Sequence, residues 1–444
     1  MDISGINIGF VSTRFAGTDG VSLEANKWAD VLQKAGHQCF WFAGELDKDK
    51  AVSFIAPEAH FKFERNEWIN RRIFGVDKRQ REVTEAIHTL RSLLKIKLER
   101  FIDFFHIDLL VIENALSIPL NIPFGLAITE IISETGIATI AHHHDFCWER
   151  PRFAKNAVEE YLQMAFPPVS ANIQNVVINS NAQKELAHRR GISAEIIPNV
   201  LEFEKPPLID AVRKSENRAL IGIRKDDIVI LQPTRIIKRK GIEMAVDMVK
   251  ALKNPRCRLI ISHDGNDEGL QYVDWLTEYA QSCSVDLSVV SSSVRSPWAT
   301  QVKGREQLSL WDIYPVADFI TLPSRNEGFG NALLEAIYFK KPILVNRYPI
   351  YIQDIEPLGF DLISVDGYMD RRAVKSVQDL LVSPERRNQM TAHNFRIAAR
   401  HYSYSVLQRK LNHILEALLP AKDAGLNREN TYPDCPLRLV DVAI

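Results

Sequence analysis

The chain has 444 residues, of which 25% are charged and 46% hydrophobic, and its formal net charge at pH 7 is -1. Such a composition is typical of a globular protein and excludes long disorder. The near-zero net charge argues against a nucleic-acid binder, which normally carries a strongly basic surface. Because the length exceeds what one hydrophobic core usually serves, we expect two domains.

The cysteines and the N-terminus indicate the compartment. The five cysteines are scattered and never form a Cys-x-x-Cys pair, so neither a disulfide framework nor a zinc site is indicated. The first stretch, MDISGINIGFVSTRF, has no basic n-region and only a short apolar run, which is not the pattern of a signal peptide. No stretch reaches the roughly 18 apolar residues of a membrane-spanning helix. We therefore expect a cytoplasmic protein that is at most peripheral to a membrane.

Short apolar runs alternate with helix-period segments in the first half of the chain. Runs of this kind predict the buried strands of a parallel sheet. They lie at residues 6–11, 38–43, 108–113, 138–144, 175–180 and 194–199. A charged segment with Pro206 and Pro207 follows, and we interpret it as an interdomain connection.

A second series of the same kind begins after this connection. Its apolar runs lie at residues 228–233, 257–262, 285–290, 317–323, 341–346 and 360–365. We therefore predict an α/β protein with two Rossmann-like, doubly wound domains, residues 1–200 and 201–402. A helix-period stretch closes the chain before a tail, residues 421–444, that we expect to be irregular.

Residues 62–105 form a basic, largely helical segment in the first half. A basic face of this kind is most often solvated surface. Contact with a membrane or a partner protein is the alternative.

Two loops at predicted strand ends have residues suited to phosphate, which favours loops that lead into helix N-termini. Gly17 and Gly20 bracket the turn after the first strand, where backbone N–H groups could approach an anion; a plain strand-to-helix turn is the alternative. Arg235 and Lys240 flank a loop that ends at Gly241. Two cations there suit a diphosphate, with a solvated basic turn as the alternative.

A third loop lies in the stretch NEGFGNALLE. It places Glu327 in a predicted loop and Glu335 about one turn into a predicted helix. Gly328 and Gly330 leave backbone amides free at the helix N-terminus, where negative charge is favoured. Glu327 can accept hydrogen bonds from sugar hydroxyls and Glu335 from a ribose diol. The apolar residues around them argue against two merely solvated glutamates.

Three consecutive histidines end a predicted strand in the stretch ATIAHHHDF. Alternation places His142 and His144 on one face of the strand and His143 on the other. We expect no metal site, because adjacent histidines on one strand do not converge on one ion and the nearest carboxylate is Asp145 alone. Hydrogen bonding to a polar ligand is the preferred interpretation, with structural histidines as the alternative.

Taken in this order, the motifs resemble the retaining glycosyltransferases of family 4, whose GT-B fold sets two Rossmann-like domains across a cleft. The resemblance spans Ile6 to about Leu418. It rests on four stretches: the loop with Gly17 and Gly20, IIPNV at residues 196–200, TRIIKRKG with Arg235 and Lys240, and NEGFGNALLE with Glu327 and Glu335. The resemblance also implies that a C-terminal helix, at about residues 403–420, packs back on the first domain.

The resemblance implies a reaction and a role for each residue. The reaction is a front-face transfer with retention from a UDP-, GDP- or ADP-sugar, without a bound metal or cofactor. Glu327 would hold the donor sugar and Glu335 the ribose, and His144, followed by Asp145, would lie near the transferred sugar. The residues implied to compensate or cradle the diphosphate are Arg235, Lys240, Phe329, Gly330, Asn331, Gly17 and Gly20.

The acceptor is indicated by residues just beyond the histidines. Arg150 and Arg152 suit an acceptor with a carboxylate or phosphate. Ordinary ion pairs with Glu149 or Glu159 are the alternative. The histidine run and the stretch SHDGNDEGLQY resemble the subgroup of mannosylglucosylglycerate synthase-like enzymes, which implies a small, soluble, polar acceptor.

Two other functions stay open at this point. The first is a peripheral membrane glycosyltransferase for a lipid-linked or surface glycan, with residues 62–105 facing the membrane. The second is a non-catalytic scaffold that binds sugar nucleotides. The intact set of two glutamates and two cations argues against the scaffold.

Overall fold

The computed structural model describes residues 5–17, 19–263, 270–290, 294–295 and 308–419. The tail predicted to be irregular, residues 421–444, lies outside these ranges. Within them the chain forms two large parallel sheets with interleaved helices, which confirms the predicted α/β class.

The first sheet is formed by the first half of the chain. Its strands are β1 (Asn7–Val11), β2 (Gln38–Ala43), β3 (Ser53–Ile55), β4 (Leu109–Glu113), β5 (Ala138–His143), β6 (Ile173–Val177) and β7 (Glu195–Ile196). Their order across the sheet is β3-β2-β1-β4-β5-β6-β7. The helices between them are α1 (Gly20–Lys34), α2 (Glu64–Ile73), α3 (Arg81–Phe105), α4 (Ile122–Thr135), α5 (Glu159–Ala165) and α6 (Ser180–Arg190). The last strand is shorter than predicted, since Pro198 lacks the N–H that a longer strand requires.

The second sheet follows the same plan. The strands of this half are β8 (Ile228–Gln232), β9 (Cys257–Ile261), β10 (Asp286–Val289), β11 (Val294–Arg295), β12 (Leu308–Ser309), β13 (Phe319–Leu322), β14 (Ile343–Asn346) and β15 (Ile363–Val365). The sheet order is β10-β9-β8-β13-β14-β15, while β11 and β12 pair separately. The helices are α7 (Ala211–Leu220), α8 (Ile242–Leu252), α9 (Leu270–Ser282), α10 (Leu310–Val316), α11 (Asn331–Tyr338), α12 (Arg371–Val382), α13 (Pro384–His401) and α14 (Tyr404–Leu418).

The strands are apolar along their whole length because helices cover both faces of each sheet. In β1, Ile8 and Phe10 belong to one buried cluster and Val11 to another on the opposite face. The same alternation separates Val111 from Ile112 in β4. The apolar sequence of each strand thus fills two cores at once and fixes the register of the sheet.

Helix α14 belongs in space to the first sheet, although it follows the second in sequence. Leu407, Leu411 and Ile414 are buried in one cluster with Trp28 of α1. The chain crosses between the two sheets twice, and the backbone N–H of Leu201 donates to the carbonyl of Tyr402 (3.0 Å) where the crossings meet. We propose that residues 1–200 with this helix form one domain and residues 201–402 the other.

The basic segment at residues 62–105 forms α2 and α3. Helix α3 buries one apolar stripe, Ile87, Leu90, Leu94 and Leu98, against the first sheet. In the part of the chain that the structure describes, no helix is long and apolar enough to cross a membrane.

Candidate active site

The candidate site lies where the carboxyl ends of the two sheets face each other. Hydrogen bonds join the facing loops: Asn179 Nδ2 donates to the carbonyl of Gly328 (2.7 Å), Asn199 Nδ2 to Asn331 Oδ1 (2.5 Å) and Ser180 N to Asp354 Oδ2 (2.8 Å). A methyl group added at Gly328 would lie 3.7 Å from the carbonyl oxygen of His144. The loop that carries Glu327 therefore sits opposite the end of the histidine strand.

Helix α11 presents its N-terminus to this region. It begins at Asn331 without a side-chain cap, so its first backbone N–H groups are available to an anion. The preceding Gly330 has φ +116°, and a Cβ there would lie 2.5 Å from Tyr348 Oη. Only glycine fits this position, because any side chain would be strained and would collide with the tyrosine.

Lys240 and Glu327 form an ion pair between two loops of the second sheet. Their side chains are only 11% and 10% exposed, and Arg239 approaches the same carboxylate at 3.5 Å. Gly241, with φ +60°, lets the lysine turn approach the end of β13, since a Cβ there would lie 2.4 Å from the carbonyl oxygen of Pro323. Burial lowers the pKa of Lys240, although the carboxylate opposes this shift.

Arg235 lies beside this pair. Its side chain is exposed, and its charge contributes to the lowered pKa of Lys240. The two cations that the sequence predicts at the end of β8 therefore influence each other electrostatically, one buried and one open to solvent.

Glu335 is held by a residue that the sequence did not indicate. Its carboxylate accepts a hydrogen bond from Tyr314 Oη (2.6 Å). Burial raises the pKa of Glu335, and the charge of Lys27, from α1, partly offsets that effect. The second glutamate of the motif thus lies between its own domain and α1 of the first sheet.

The turn between β1 and α1 is less open to an anion than expected. The N–H of Gly17 already donates to Asp47 Oδ2 (2.9 Å). Asp19 caps α1 by accepting from the N–H of Ser22 (3.1 Å). A Cβ at Gly20 would have Asn331 Nδ2 as its nearest neighbour at 3.9 Å, so this glycine faces the N-terminus of α11.

Phe329 lies in the core and not in the open part of the site. Its side chain is buried and its ring packs edge-on against Tyr402, with 5.3 Å between the ring centroids. Its carbonyl oxygen accepts a hydrogen bond from Tyr348 Oη (2.7 Å). Packing thus fixes the ring beneath the loop, and the predicted role of Phe329 in donor binding stays a prediction.

The three histidines have different surroundings. His142 and His144 both contact Glu113, at the end of β4, as the strand alternation predicts for two residues on one face. His143 lies on the other face, where it hydrogen-bonds Ser117 Oγ (2.6 Å) and Asn175 Oδ1 (2.9 Å). The side chain of His144 is 10% exposed, whereas the other two are buried.

Our expectation that these histidines do not converge is wrong. Nδ1 of His142 lies 3.0 Å and Nε2 of His144 3.1 Å from Oε2 of Glu113. Among the described residues, this trio is the group of His, Cys, Asp and Glu side chains that could hold a metal ion, with its ligand atoms within 4.8 Å of one another. The missing partner was the carboxylate of the neighbouring strand, which pairs in register with His142.

Hydrogen bonding accounts for the geometry of the trio, because 3.0 to 3.1 Å is an ordinary distance between an imidazole N–H and a carboxylate. Burial raises the pKa of Glu113. The two imidazoles outweigh this effect and lower the pKa of Glu113 to about 2. Burial lowers the pKa of His142. For His144 the bond to Glu113 outweighs burial and raises the pKa.

Asp145 and Arg150 form an ion pair beside the histidines. Nε of Arg150 donates to Asp145 Oδ2 (2.7 Å), while Asn114 Nδ2 donates to the other oxygen (2.9 Å). The partner of this arginine is therefore Asp145, and not Glu149 or Glu159. Arg152 is exposed, with its guanidinium 4.5 Å from the ring centroid of Phe153.

Two doubly wound sheets that face each other through their carboxyl ends have the architecture of the GT-B fold. Solved structures share this fold. A glycosyltransferase from Rickettsia africae has a TM-score of 0.66 at 12% identity, covering 94% of this chain and 100% of that one. HepE of Anabaena, solved with UDP-glucose, has a TM-score of 0.60 at 11% identity, covering 93% and 100%. These likenesses confirm the predicted GT-B fold.

Sequence comparison gives the family. Residues 299–396 match the family model of glycosyl transferases group 1. Mannosylglucosylglycerate synthase of Thermotoga maritima is 33% identical over 431 residues, covering 88% of this chain and 95% of that protein. The enzyme of the same name from Petrotoga mobilis is 34% identical over 386 residues, covering 81% and 86%. The chain belongs to the glycosyl transferases group 1 and is an enzyme, so the non-catalytic scaffold is set aside.

Proposed function

We propose that the protein transfers a sugar, with retention and without a bound metal, from a nucleoside-diphosphate sugar to a small anionic acceptor. The observation that carries the proposal is the Lys240–Glu327 pair, which lies beside the open N-terminus of α11 and opposite His144. A helix N-terminus suited to phosphate and a carboxylate suited to sugar hydroxyls would thus be adjacent, and the backbone of His144 lies close to the same loop.

The donor would exchange partners with this pair. A diphosphate bound at the N-terminus of α11 would take over Lys240 and meet the exposed Arg235. Glu327, released from the lysine, would accept hydrogen bonds from hydroxyls of the donor sugar. Glu335, held by Tyr314, would keep one carboxylate oxygen for the ribose.

The charges at the site support a mechanism without a metal. When the glycosidic bond breaks, negative charge grows on the leaving diphosphate. Two cations and the partial positive charge of a helix N-terminus can stabilise that charge. The leaving phosphate can then help to deprotonate the acceptor hydroxyl on the same face of the sugar, which retains the configuration.

The acceptor is proposed from the relatives. Their name indicates that they form mannosylglucosylglycerate. We propose that this chain likewise transfers mannose to glucosylglycerate, whose carboxylate makes it a small anionic acceptor. Arg150 and Arg152, which follow the histidine strand, are the candidates for that carboxylate. Free cysteines such as Cys39 and Cys257 fit a reducing compartment, and we propose the cytoplasm.

The first test is thermal shift with UDP, GDP, ADP and their mannose and glucose conjugates. A ligand at 100 times its Kd stabilises the native state by about 2.7 kcal/mol, so the correct nucleotide will raise Tm clearly. Absence of a shift with every nucleotide sugar contradicts a preformed donor site.

The second test follows product with glucosylglycerate as the acceptor. We expect mass spectrometry to detect a mannosylated product. NMR should show an α-linkage, the same anomer as in an α-linked donor, because the configuration is retained. The rate should be undiminished in EDTA. Glu327→Gln should remove transfer and keep the fold, while Glu356→Gln, whose carboxylate pairs with Arg347, should keep both. Transfer at the wild-type rate by Glu327→Gln would exclude the proposed site.

Liposome co-sedimentation tests the membrane alternative. Salt-sensitive binding to anionic vesicles would favour the peripheral enzyme, with α2 and α3 as its contact surface. We expect the protein to stay in the supernatant.

A further inference from the structure

Glu113 is a fully buried carboxylate in the candidate site, and none of the roles proposed above uses it. It ends β4 directly beside the histidine strand and contacts His142 and His144. We infer that Glu113 is a positioning residue of the transfer reaction: it holds the ring of His144 by Nε2 and so leaves Nδ1 as the nitrogen that meets the substrates. This inference rests on the proposed function, in which His144 faces the donor sugar.

The hydrogen bonds of His144 divide its two nitrogens. Nε2 lies 3.1 Å from Glu113 Oε2, and a carboxylate only accepts, so this nitrogen carries a proton. Within the described part of the chain, Nδ1 has no hydrogen-bond partner. A carboxylate that fixes one imidazole nitrogen determines which tautomer the other presents. Glu113 therefore selects the form of neutral His144 whose Nδ1 can accept a hydrogen bond from a substrate hydroxyl.

The other contacts of the trio keep Glu113 in place. His142 donates to its carboxylate (3.1 Å to Oε1) and stacks on Trp28 of α1, with 4.2 Å between the ring centroids. Among the described residues, Nε2 of His142 is buried without a hydrogen-bond partner, which fits a neutral ring with its proton on Nδ1. The stacked ring is a rigid support for His142.

The backbone of His144 is fixed separately. Its N–H donates to Asn114 Oδ1 (2.9 Å), and the N–H of Asn114 donates to the carbonyl of His142 (3.0 Å). Asn114 has φ +61°, a left-handed conformation that asparagine tolerates better than most residues. Because the backbone is held without Glu113, a change at Glu113 should turn the ring and leave the strand in place.

The charges around the trio are balanced in pairs. Glu24 of α1, the other buried carboxylate nearby, is neutralised by Lys27 (2.7 Å). Among the described residues, Glu113 has no Lys or Arg partner, and a buried carboxylate is costly without compensation. The proton that His144 directs at Glu113 supplies that compensation, so the ring and the carboxylate stabilise each other.

The test compares Glu113→Gln, His144→Ala and the double variant. A residue that orients another typically contributes 10- to 100-fold, so we expect kcat of Glu113→Gln to fall about 10- to 100-fold with little change in the donor KM. In the His144→Ala background the same change should have no further effect, because Glu113 acts through that ring. An unchanged kcat, or full additivity in the double variant, overturns the inference.

A matched control separates positioning from folding. His143→Gln alters an equally buried histidine of the same strand that bonds Ser117 and Asn175 on the other face. It should change kcat per folded enzyme less than about twofold. If His143→Gln lowers kcat as much as Glu113→Gln does, the effect is a general loss of packing and the inference fails.

Nitrogen-15 NMR of the histidines gives a readout that does not depend on activity. We expect His144 to be protonated at Nε2 when neutral, and its titration to move to lower pH in Glu113→Gln. The charged or titratable groups around this ring are Glu113 of β4, His142 and His143 of β5, Glu24 of α1 and Asp145. A neutral ring protonated at Nδ1 alone overturns the inference even if transfer is observed.

The NMR and metal measurements also keep this inference apart from the proposed function. If no nucleotide sugar binds but Nε2 of His144 is protonated, the proposed function is wrong and the hydrogen bond between His144 and Glu113 is confirmed. The positioning role of Glu113 in transfer is then wrong as well, because it depends on the proposed function. Metal analysis of the purified enzyme tests whether Glu113, His142 and His144 bind a metal ion instead. A stoichiometric metal that is lost in Glu113→Gln would make Glu113 a ligand and overturn its assignment as a hydrogen-bonding residue.

Discussion

The two faces of the candidate active site are built in opposite ways. On the second-sheet side, Lys240 and Glu327 come from loops, keep about a tenth of their surface in solvent and form an ion pair with each other. On the first-sheet side, Glu113 and His144 come from neighbouring strand ends, and the carboxylate is fully buried. In the proposed function the loop pair exchanges partners when the donor binds, whereas the strand pair keeps its arrangement. The site thus combines an adaptable half with a rigid half.

The difference follows from the supports beneath each half. Glycines with left-handed backbones, Gly241 and Gly330, shape the loops, and backbone contacts hold them close to the strand ends. In the rigid half, Trp28 stacks on His142, and the pairing of β4 with β5 places Glu113 beside His142. Loops over a rigid scaffold are the usual place for groups that must move during binding.

The largest effect is expected on the adaptable side. Lys240→Met removes the buried cation, and we expect kcat/KM to fall about 10²- to 10³-fold, as for the loss of one group that stabilises developing negative charge. Initial-rate kinetics measure this loss. Lys250→Met is the control, because Lys250 is an exposed lysine at the far end of α8. Equal rates for both variants would show that the pair plays no part in transfer.

The next prediction concerns the support of the rigid side. Leu411→Ala opens a cavity between α14 and the first sheet, and we expect the free energy of unfolding to fall by about 2 to 5 kcal/mol. Urea denaturation measures it. Arg409→Ala, on the exposed face of the same helix, should change stability by less than about 0.5 kcal/mol. A small loss for Leu411→Ala would mean that the rigid half does not depend on α14.

A smaller effect is expected where the two halves meet. Asp354 accepts from both the N–H and the hydroxyl of Ser180 across the two domains. Asp354→Asn weakens these charge-assisted bonds, and we expect a loss of about 1 to 2 kcal/mol in denaturant unfolding. Asp366→Asn, at a carboxylate that is 75% exposed, serves as the control. Equal stability of the two variants would show that this contact does not hold the domains together.

The smallest structural effect is expected at Gly20. A Cβ at Gly20 would make only ordinary van der Waals contacts, and the backbone conformation there suits any residue. Gly20→Ala should therefore change stability by less than about 0.5 kcal/mol. The added methyl faces the N-terminus of α11, and we expect the donor KM to rise while Tm stays constant. A donor KM equal to that of the wild type would show that the donor does not bind next to Gly20.

Within the adaptable half, the sequence predicted the loop and the helix start around Glu327, because these residues are neighbours in the chain. Glu327, Gly330 and Glu335 lie within one motif, and glycine at a helix start has a local physical reason. The βα alternation also predicted most strands, since strands buried on both faces are continuously apolar. The three-residue β3 was missed because so short a run has no periodicity.

The rigid half could not be predicted in the same way. Glu113 and His142 are 29 residues apart and meet only because β4 and β5 pair in the sheet. The signal was present, since Glu113 is the one charged residue in the apolar run LLVIE, beside a strand that ends in histidines. Interpreting that signal requires the strand order, which periodicity alone does not give. Tyr314 was missed as a partner of Glu335 for the same reason.

The position of α14 has a consequence for how the protein is made. The sheet that carries Glu113 and His144 is complete in sequence by Ile196, but the helix that covers one of its faces ends at Leu418. At about 5 to 20 residues per second, a ribosome needs roughly 10 to 40 seconds to synthesise the chain between them. During that time the apolar surface that α14 later covers stays exposed, so we expect the nascent first domain to bind chaperones until α14 has emerged from the ribosome.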